Sequence, residues 1–343
     1  MVEEDDNNKV STTIKLNFRC IYEVNFNHED TKALKNITNE FNNLPKFKED
    51  TLGNSNEGFM DFTDDFKIEP FIVRPCVDPK DSSETTKLRY EKKISNKDIL
   101  SKRFRYATYT EGRNEPNYVE ADIFWIKPCD VLLIKGGKSA CDKITDYLIR
   151  FNNVGFTEIK FDHDFLLWIL YRYDQYNGVM SSSTTADIII EKIDKGRTHG
   201  EDTNENDIEF KDGQSRLMPF TTLYGLLINH EILHIGGDFQ FRKKDHKINA
   251  KLAKDITMHI YADHVLKGKS YGEKCALAFP FIIEMMEIFE NWTKMPAKSK
   301  YPDDKFFDSA KESFETQMHY SLEGIKELKK KYKKLRKGCS HGS

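Results

Sequence analysis

Long apolar runs are missing from this sequence. No stretch approaches the ~18 consecutive apolar residues that a membrane-spanning helix needs, and the longest apolar segments are broken by charge or glycine. The opening residues, Met1-Val2-Glu3-Glu4-Asp5-Asp6-Asn7-Asn8, have no basic n-region and no apolar h-region, so a secretory signal is not expected. Cysteine is sparse too. Cys20, Cys76, Cys129, Cys141, Cys275 and Cys339 are scattered, and none forms a CxxC pair. That spacing argues against a disulfide framework and against a cysteine-type zinc knuckle. Together these absences predict a soluble, cytoplasmic protein with reduced thiols and no membrane partner.

What is present is a core. Hydrophobic residues are 38% of the chain, and 24 Phe and 15 Tyr argue against global disorder. A length of 343 residues suits two or three domains or one large elaborated one. The net charge of −3 conceals an uneven distribution. Residues 326–337 hold eight basic residues and one acid, Glu327, which leaves 45 basic against 55 acidic residues elsewhere. The body is acidic and the tail basic.

Periodicity places the elements. Thr13–Phe26 alternates like a strand, and Thr31–Asn42 reads as a helix. Residues 43–66 and 78–86 read as loops around a short strand, Phe71-Ile72-Val73. Ile123–Ile126 and Val131–Ile134 are strands, Ser139–Phe151 a helix and Phe156–Phe161 a further strand. Asp162 or Asp164 is placed to cap a helix carrying Leu166, Leu167, Ile169 and Leu170. A turn at Ser181–Thr185 precedes strands at Asp187–Ile193 and Asp207–Lys211, separated by a polar loop, Lys195–Asn206. Tyr271–Trp292 is a helix, and Asp308–Lys337 is helical with Ile325, Leu328, Tyr332 and Leu335 at heptad-like spacing. The fold class is mixed α/β (α+β), with short strands packed on helices and a helical C-terminal segment. Four regions are drawn: 1–100, with long loops; 101–216, a central α/β region; 217–300; and 301–343, the basic helical tail.

The sharpest chemical signal is His230-Glu231-Ile232-Leu233-His234. On a helix, His230 and His234 share a face and can bind one Zn²⁺, while Glu231 can deprotonate the metal-bound water. The metal brings that water's pKa near 7. The stretch resembles the zincin metallopeptidases (HExxH). In their extended pattern, HExxHxxGxxH, Gly237 falls in place, but Gln240 stands where the third histidine belongs. The resemblance covers about ten residues. It implies a zinc-dependent hydrolase, a cytosolic peptidase acting on protein or peptide, with Glu231 as catalytic base and His230 and His234 as ligands. The third ligand is then Asp255, with Asp238, His259 and Asp263 as alternatives.

The same residues also read as β. Ile228, His230, Ile232 and His234 alternate with Glu231, Leu233 and Ile235. Phe239–Lys243, Lys247–Leu252 and Ile256–Ala262 then follow as strands of a meander. On a strand, His230 and His234 lie ~13 Å apart, too far to share one metal. The meander suits a non-enzymatic α/β module that binds nucleic acid or a protein complex. The order strand-turn-helix, strands, then a long Trp-ended helix resembles the layout of centromere protein N-like proteins. Lys329, Lys330, Lys331, Lys333, Lys334, Arg336 and Lys337 are the candidate contacts to nucleic acid in that reading.

A metal-dependent nuclease is a further alternative. Glu209-Phe210-Lys211 and Glu158-Ile159-Lys160 are Glu-x-Lys triplets, and Asp187 or Asp194 lies upstream of the first. Gly136-Gly137-Lys138-Ser139 looks like the end of a P-loop. The Gly required five positions before Gly137 is Leu132, so a plain strand-turn-helix connection is expected.

Overall fold

Ile123-Phe124-Trp125-Ile126 and Val131-Leu132-Leu133-Ile134 are apolar at every position. A strand built from such a run has no polar face to give to water and has to be covered on both sides. The alternating segments near residues 235 and 250 need cover on one side only. This difference organises the whole structure.

The computed structural model describes residues 15–30, 32–48, 56–63, 66–74, 90–109, 116–181, 187–199, 208–211, 231–241, 247–254, 258–261 and 268–338. In chain order the elements are β1 (Lys15–Asn25), α1 (Ala33–Asn42), β2 (Glu57–Met60), β3 (Phe71–Val73), β4 (Lys92–Ile94), β5 (Ile99–Thr108), β6 (Asn117–Ile126) and β7 (Val131–Lys135). Then come α2 (Lys138–Leu148), β8 (Gly155–Glu158), α3 (His163–Gln175), β9 (Val179–Ser181), β10 (Asp187–His199), β11 (Ile208–Lys211) and β12 (Glu231–Phe241). The remainder are β13 (Lys247–Ala253), β14 (Met258–Tyr261), α4 (Tyr271–Lys294), a short α5 (Ala297–Lys300) and α6 (Asp304–Gly338).

Twelve strands form one sheet in the order β11-β10-β12-β13-β14-β1-β7-β6-β5-β2, with β8 beside β1 and β9 beside β10. Its strands pair antiparallel throughout. β3 and β4 make a separate two-stranded ribbon. Three of the four regions drawn from the sequence share this sheet: β1 lies between β14 and β7.

One face of the sheet carries the larger core. Phe18, Phe124, Leu133, Ile190, Phe239 and Leu252 point into it and meet Phe165 and Trp168 of α3 and Phe279, Phe281 and Trp292 of α4. Each fully buried side chain of this kind contributes about 1.5–3 kcal/mol. Among the described residues, helices cover the opposite face over part of its width. There Tyr22, Phe104, Ile123, Trp125 and Ile134 pack on α1 through Phe41 and on α2 through Ile144 and Leu148.

The helices begin where local chemistry starts them. The Asp162 side chain accepts the Phe165 N–H at 2.7 Å and caps α3. Ser270 and Glu273 form a reciprocal capping box at the start of α4. α4 tolerates Pro280 inside it, fully buried among its apolar neighbours. Gly136-Gly137-Lys138-Ser139 is the expected strand-turn-helix link, and a Cβ on Gly136 would lie 2.6 Å from Ala121 Cβ.

Several expectations are corrected. The loop expected over 43–66 contains β2, whose Phe59 is buried on β5. β5 was not expected at all; its Arg103 and Arg105 are strand residues matched across the sheet by Asp122 and Glu120. Of the polar loop expected over Lys195–Asn206, residues 195–199 are the end of β10, and 200–206 lie outside the described residues. The loop over 78–86 and most of the turn after Ser181 lie outside the described residues.

Two polar clusters tie the layers. Buried Asp122 accepts hydrogen bonds from Arg103 Nε at 2.8 Å, Lys135 Nζ at 3.1 Å and Tyr271 OH at 2.5 Å. This joins three strands to the start of α4, and burial with the nearby acid groups pushes the Tyr271 phenol well up. Replacing Asp122 with Ala strands two cations and a phenol. Chemical denaturation of Asp122→Ala is expected to show a loss of about 3–5 kcal/mol. At the other end, Glu57 of β2 accepts from Lys143 at 2.5 Å and Tyr147 at 2.9 Å on α2. Burial alone would raise the Glu57 pKa; the two donors outweigh it and hold the carboxyl below its ordinary value. A depressed carboxylate contributes stability above its unfolded pKa and loses it as pH falls. Glu57→Gln should therefore flatten the acid side of the stability profile, measured by thermal melts below the ordinary glutamate range, and leave its slope near neutrality unchanged.

Candidate functional site

Among the described residues, neither α1 nor α2 covers the sheet surface over β10, β12, β13, β14 and the start of β1. The second core draws no residue from β9 to β14. Alternation along β12 and β13 sends Ile235, Phe239, Ile248, Ala250 and Leu252 into the large core. Their neighbours His234, Asp238, Asn249 and Lys251 therefore stand on the opposite side, where His234 and Asn249 are buried and Asp238 and Lys251 half-buried.

An open cleft of about 550 Å³ lies on this surface. Arg19, Lys160, Arg197, Lys251 and Lys254 line it, together with His234 and His259. Glu158 is the only carboxylate among its described lining residues, and it pairs with Lys160 at 2.8 Å. Lys254 is ion-paired with Glu231 at the rim. Leu233 and Ala253 are the apolar lining residues. In a protein of net charge −3 this is a local reversal of sign.

Bulges aim these side chains. Phe18 pairs with Lys135 and Cys20 with Ile134, so Arg19 is an extra residue in β1. Before it, Leu16 and Phe18 feed the large core; after it, Cys20, Tyr22 and Val24 feed the small one. Arg19 itself reaches the cleft. A second irregularity lies between β10 and β12. Arg197 pairs with His234 and Thr198 with Ile232, which leaves Leu233 as the extra residue. The alternation expected from the sequence put Ile232 and His234 on one face. The bulge separates them, burying Ile232 in the core and turning His234 to the cleft. His163 Nδ1, on α3, accepts the Ile232 N–H at 2.8 Å and anchors the distortion.

Two glycines sit in β12 beside the cleft-lining strands. Gly236 pairs with Lys195 on one side and Lys251 on the other, and Lys251 pairs with His259. Position 236 therefore adds no side chain between its flanking strands. A Cβ on Gly237 would sit 1.9 Å from Lys192 O, so β10 crosses too closely for any other residue.

The predicted site residues fall out differently from a zinc helix. Glu231 to His234 belong to a strand, so the helical reading is corrected to the β meander. Both periods put i and i+4 on one face, and the β-branched surroundings, the pairing with β10 and, from His234 on, the pairing with β13 favour extension. His230, Asp255 and Asp263 lie outside the described residues. Glu231 is ion-paired with Lys254, and Asp238 accepts from Asn249 at 2.7 Å. His234 and His259 both line the cleft, on strands separated by β13. Among the described residues no three His, Cys, Asp or Glu are grouped to hold a metal. The described cysteines Cys20, Cys129, Cys141 and Cys275 are free thiols, as expected.

Glu209 pairs with Arg197 and Lys211 with Lys195 on β11. Asp187, paired with Ser181, lies at the far end of β10 from them. The tail residues Lys329, Lys330, Lys331 and Lys333 are exposed on α6, and Lys334, Arg336 and Lys337 continue the same helix. No described helix is long and apolar enough to cross a membrane. No protein-family profile matches the chain, and no curated protein matches it in sequence.

Five cleft cations had no signal in the sequence beyond Lys251, which shares the polar face of β13 with Lys247 and Asn249. Arg19 and Arg197 depend on bulges, which composition does not reveal. Replacing Gly237 with Ala should cost about 1–3 kcal/mol in urea unfolding, the usual range for overpacking. A Gly237→Ala protein as stable as the parent would show that β10 does not cross there.

Proposed function

We propose that the chain binds the phosphate backbone of nucleic acid in the basic cleft on the sheet face opposite the large core, without chemistry of its own. The convergence of Arg19, Lys160, Arg197, Lys251 and Lys254 against one lining carboxylate carries this reading. A cluster of cations on an acidic body favours a polyanion, because each phosphate neutralised releases bound counterions. The described lining contains no Phe, Tyr or Trp, so base stacking is not part of the recognition. Without base-edge readout the binding is shape- and charge-driven, and sequence matters little. The basic face of α6 adds a second, separate cationic surface. The zinc-hydrolase reading required His230 and His234 on one helix face, and the extended backbone from Glu231 onward removes that support.

The test is the salt dependence of binding to mixed-sequence duplex DNA, read by fluorescence anisotropy. With up to five phosphate contacts the log–log slope should reach roughly −4. Arg19→Ala and Lys251→Ala should each make it shallower by about 1 and weaken all sequences alike. Binding that ignores both substitutions but vanishes on deleting residues 326–337 would assign the activity to the tail instead. No binding at low salt to duplex or single strand would overturn the proposal.

A further inference from the structure

A strand position that faces the core is apolar unless something holds the polar group it carries. β1 departs from this at Glu23. After the Arg19 bulge, Ile21 and Glu23 share the face that looks toward α4, while Cys20, Tyr22 and Val24 look the other way. Ile21 is fully buried there, and Glu23 is half-buried. Among the described residues the Glu23 carboxylate has no hydrogen-bond or ion-pair partner.

Glu23 stands in a row. It pairs with Thr157 of β8 on one side and with Val131 of β7 on the other. Residues paired directly across strands share a face, so these three make one floor. Over it passes the last part of α4, where Ile283, Met286, Phe289 and Thr293 recur at spacings of three and four on one side of the helix. Between floor and helix lies a slot of about 400 Å³, closed further by Cys129 and Ile159. Small-molecule sites are of this size, roughly 300–1,000 Å³. Val131, Cys129 and Ile283 are buried and make its inner wall. Phe289 is fixed by edge-on contacts to Phe161 and Phe165, with ring centroids 5.2 and 5.0 Å away. Met286 is unbranched and can follow the shape of what enters.

Charge in the slot selects the ligand. Glu158 is paired with Lys160 at 2.8 Å, and Glu290 with Lys294 at 2.7 Å. Glu23 is the carboxylate left over, and Lys160 is the one cation among the described lining residues. A neutral apolar molecule would cover Glu23 and leave it unpaired, and an anion would be repelled by it. A compact organic cation satisfies the apolar walls and the carboxylate together. We propose that the slot binds a small amine with an aryl or alkyl body, the body held under Ile283, Met286 and Phe289 and the ammonium on Glu23. The slot opens on the large-core side of the sheet and the basic cleft on the other, with Glu158 and Lys160 bordering both. The inference therefore stands whatever the cleft binds.

The probe is phenylbutylamine, with phenylbutanol and phenylbutanoate as its neutral and anionic matches, each titrated against the full chain and followed by ligand-observed nuclear magnetic resonance. The amine is expected to saturate with a Kd of about 1 mM or below. The alcohol and the acid should bind at least roughly tenfold more weakly, for want of the charge-assisted contact. Glu23→Gln should weaken the amine roughly tenfold and bring it level with the alcohol. Because Glu23 gives up no protein partner, the melting temperature of that variant should not fall. Met286→Trp fills the slot and should abolish binding of the amine while the melting profile shows a folded protein. An amine that fails to saturate at several millimolar, or that binds Glu23→Gln as well as the parent, would overturn the proposal. So would amine binding that survives Met286→Trp, since it would place the ligand outside the slot.

Discussion

β1 is the strand on which both halves of the sheet depend. It pairs with β14 and β8 along one edge and with β7 along the other. Its extra residue, Arg19, lets one strand serve two cores: the residues before it are buried on one side of the sheet, and the residues Cys20, Tyr22 and Val24 on the other. A regular strand in this place would put alternate residues of its whole length on each face. Because the face change happens at a charged residue, the same distortion that joins the cores delivers a guanidinium to the cleft.

Uneven cover follows from this. The large core runs under most of the sheet, from β10 to β6, while α1 and α2 cover only the part around β1, β7, β6 and β5. The cleft in the remainder is lined mainly by basic side chains. The chain as a whole is slightly acidic, so the positive cleft is a matter of placement and not of composition. Structurally, the tail is a second instance of the same separation of charge. Its basic residues gather beyond Gly324, and its acids lie nearer the body.

Much of the fold was legible. Alternation located β1, β13 and β14, unbroken apolar runs located the cores of β6 and β7, and Asp162 marked the start of α3. β5 was hidden because Arg103 and Arg105 look like loop residues until Asp122 and Glu120 stand opposite them. Long-range pairing, which local pattern does not report, decides such cases. Residues 230–234 were ambiguous for a definite reason: two histidines four apart share a face in either period. Pairing with β10, joined at His234 by pairing with β13, makes Glu231–His234 extended. The cleft was nearly invisible, since its side chains come from β1, β8, β10, β12, β13 and β14 and are separated by more than two hundred residues in sequence.

The pairing of Lys15 with Tyr261 has a consequence for how the chain is made. At about 5–20 residues per second, the ribosome adds β14 roughly ten to fifty seconds after β1. The smaller core, drawn from β1, β2, β5, β6, β7, α1 and α2, is complete in sequence long before then. It can assemble on the nascent chain, but the first residues of β1 keep an unpaired backbone edge throughout that interval. An edge of this kind invites another chain. A chaperone that shields it, or slow initiation that spaces neighbouring ribosomes, should therefore raise the yield of native protein more than any substitution in the cleft.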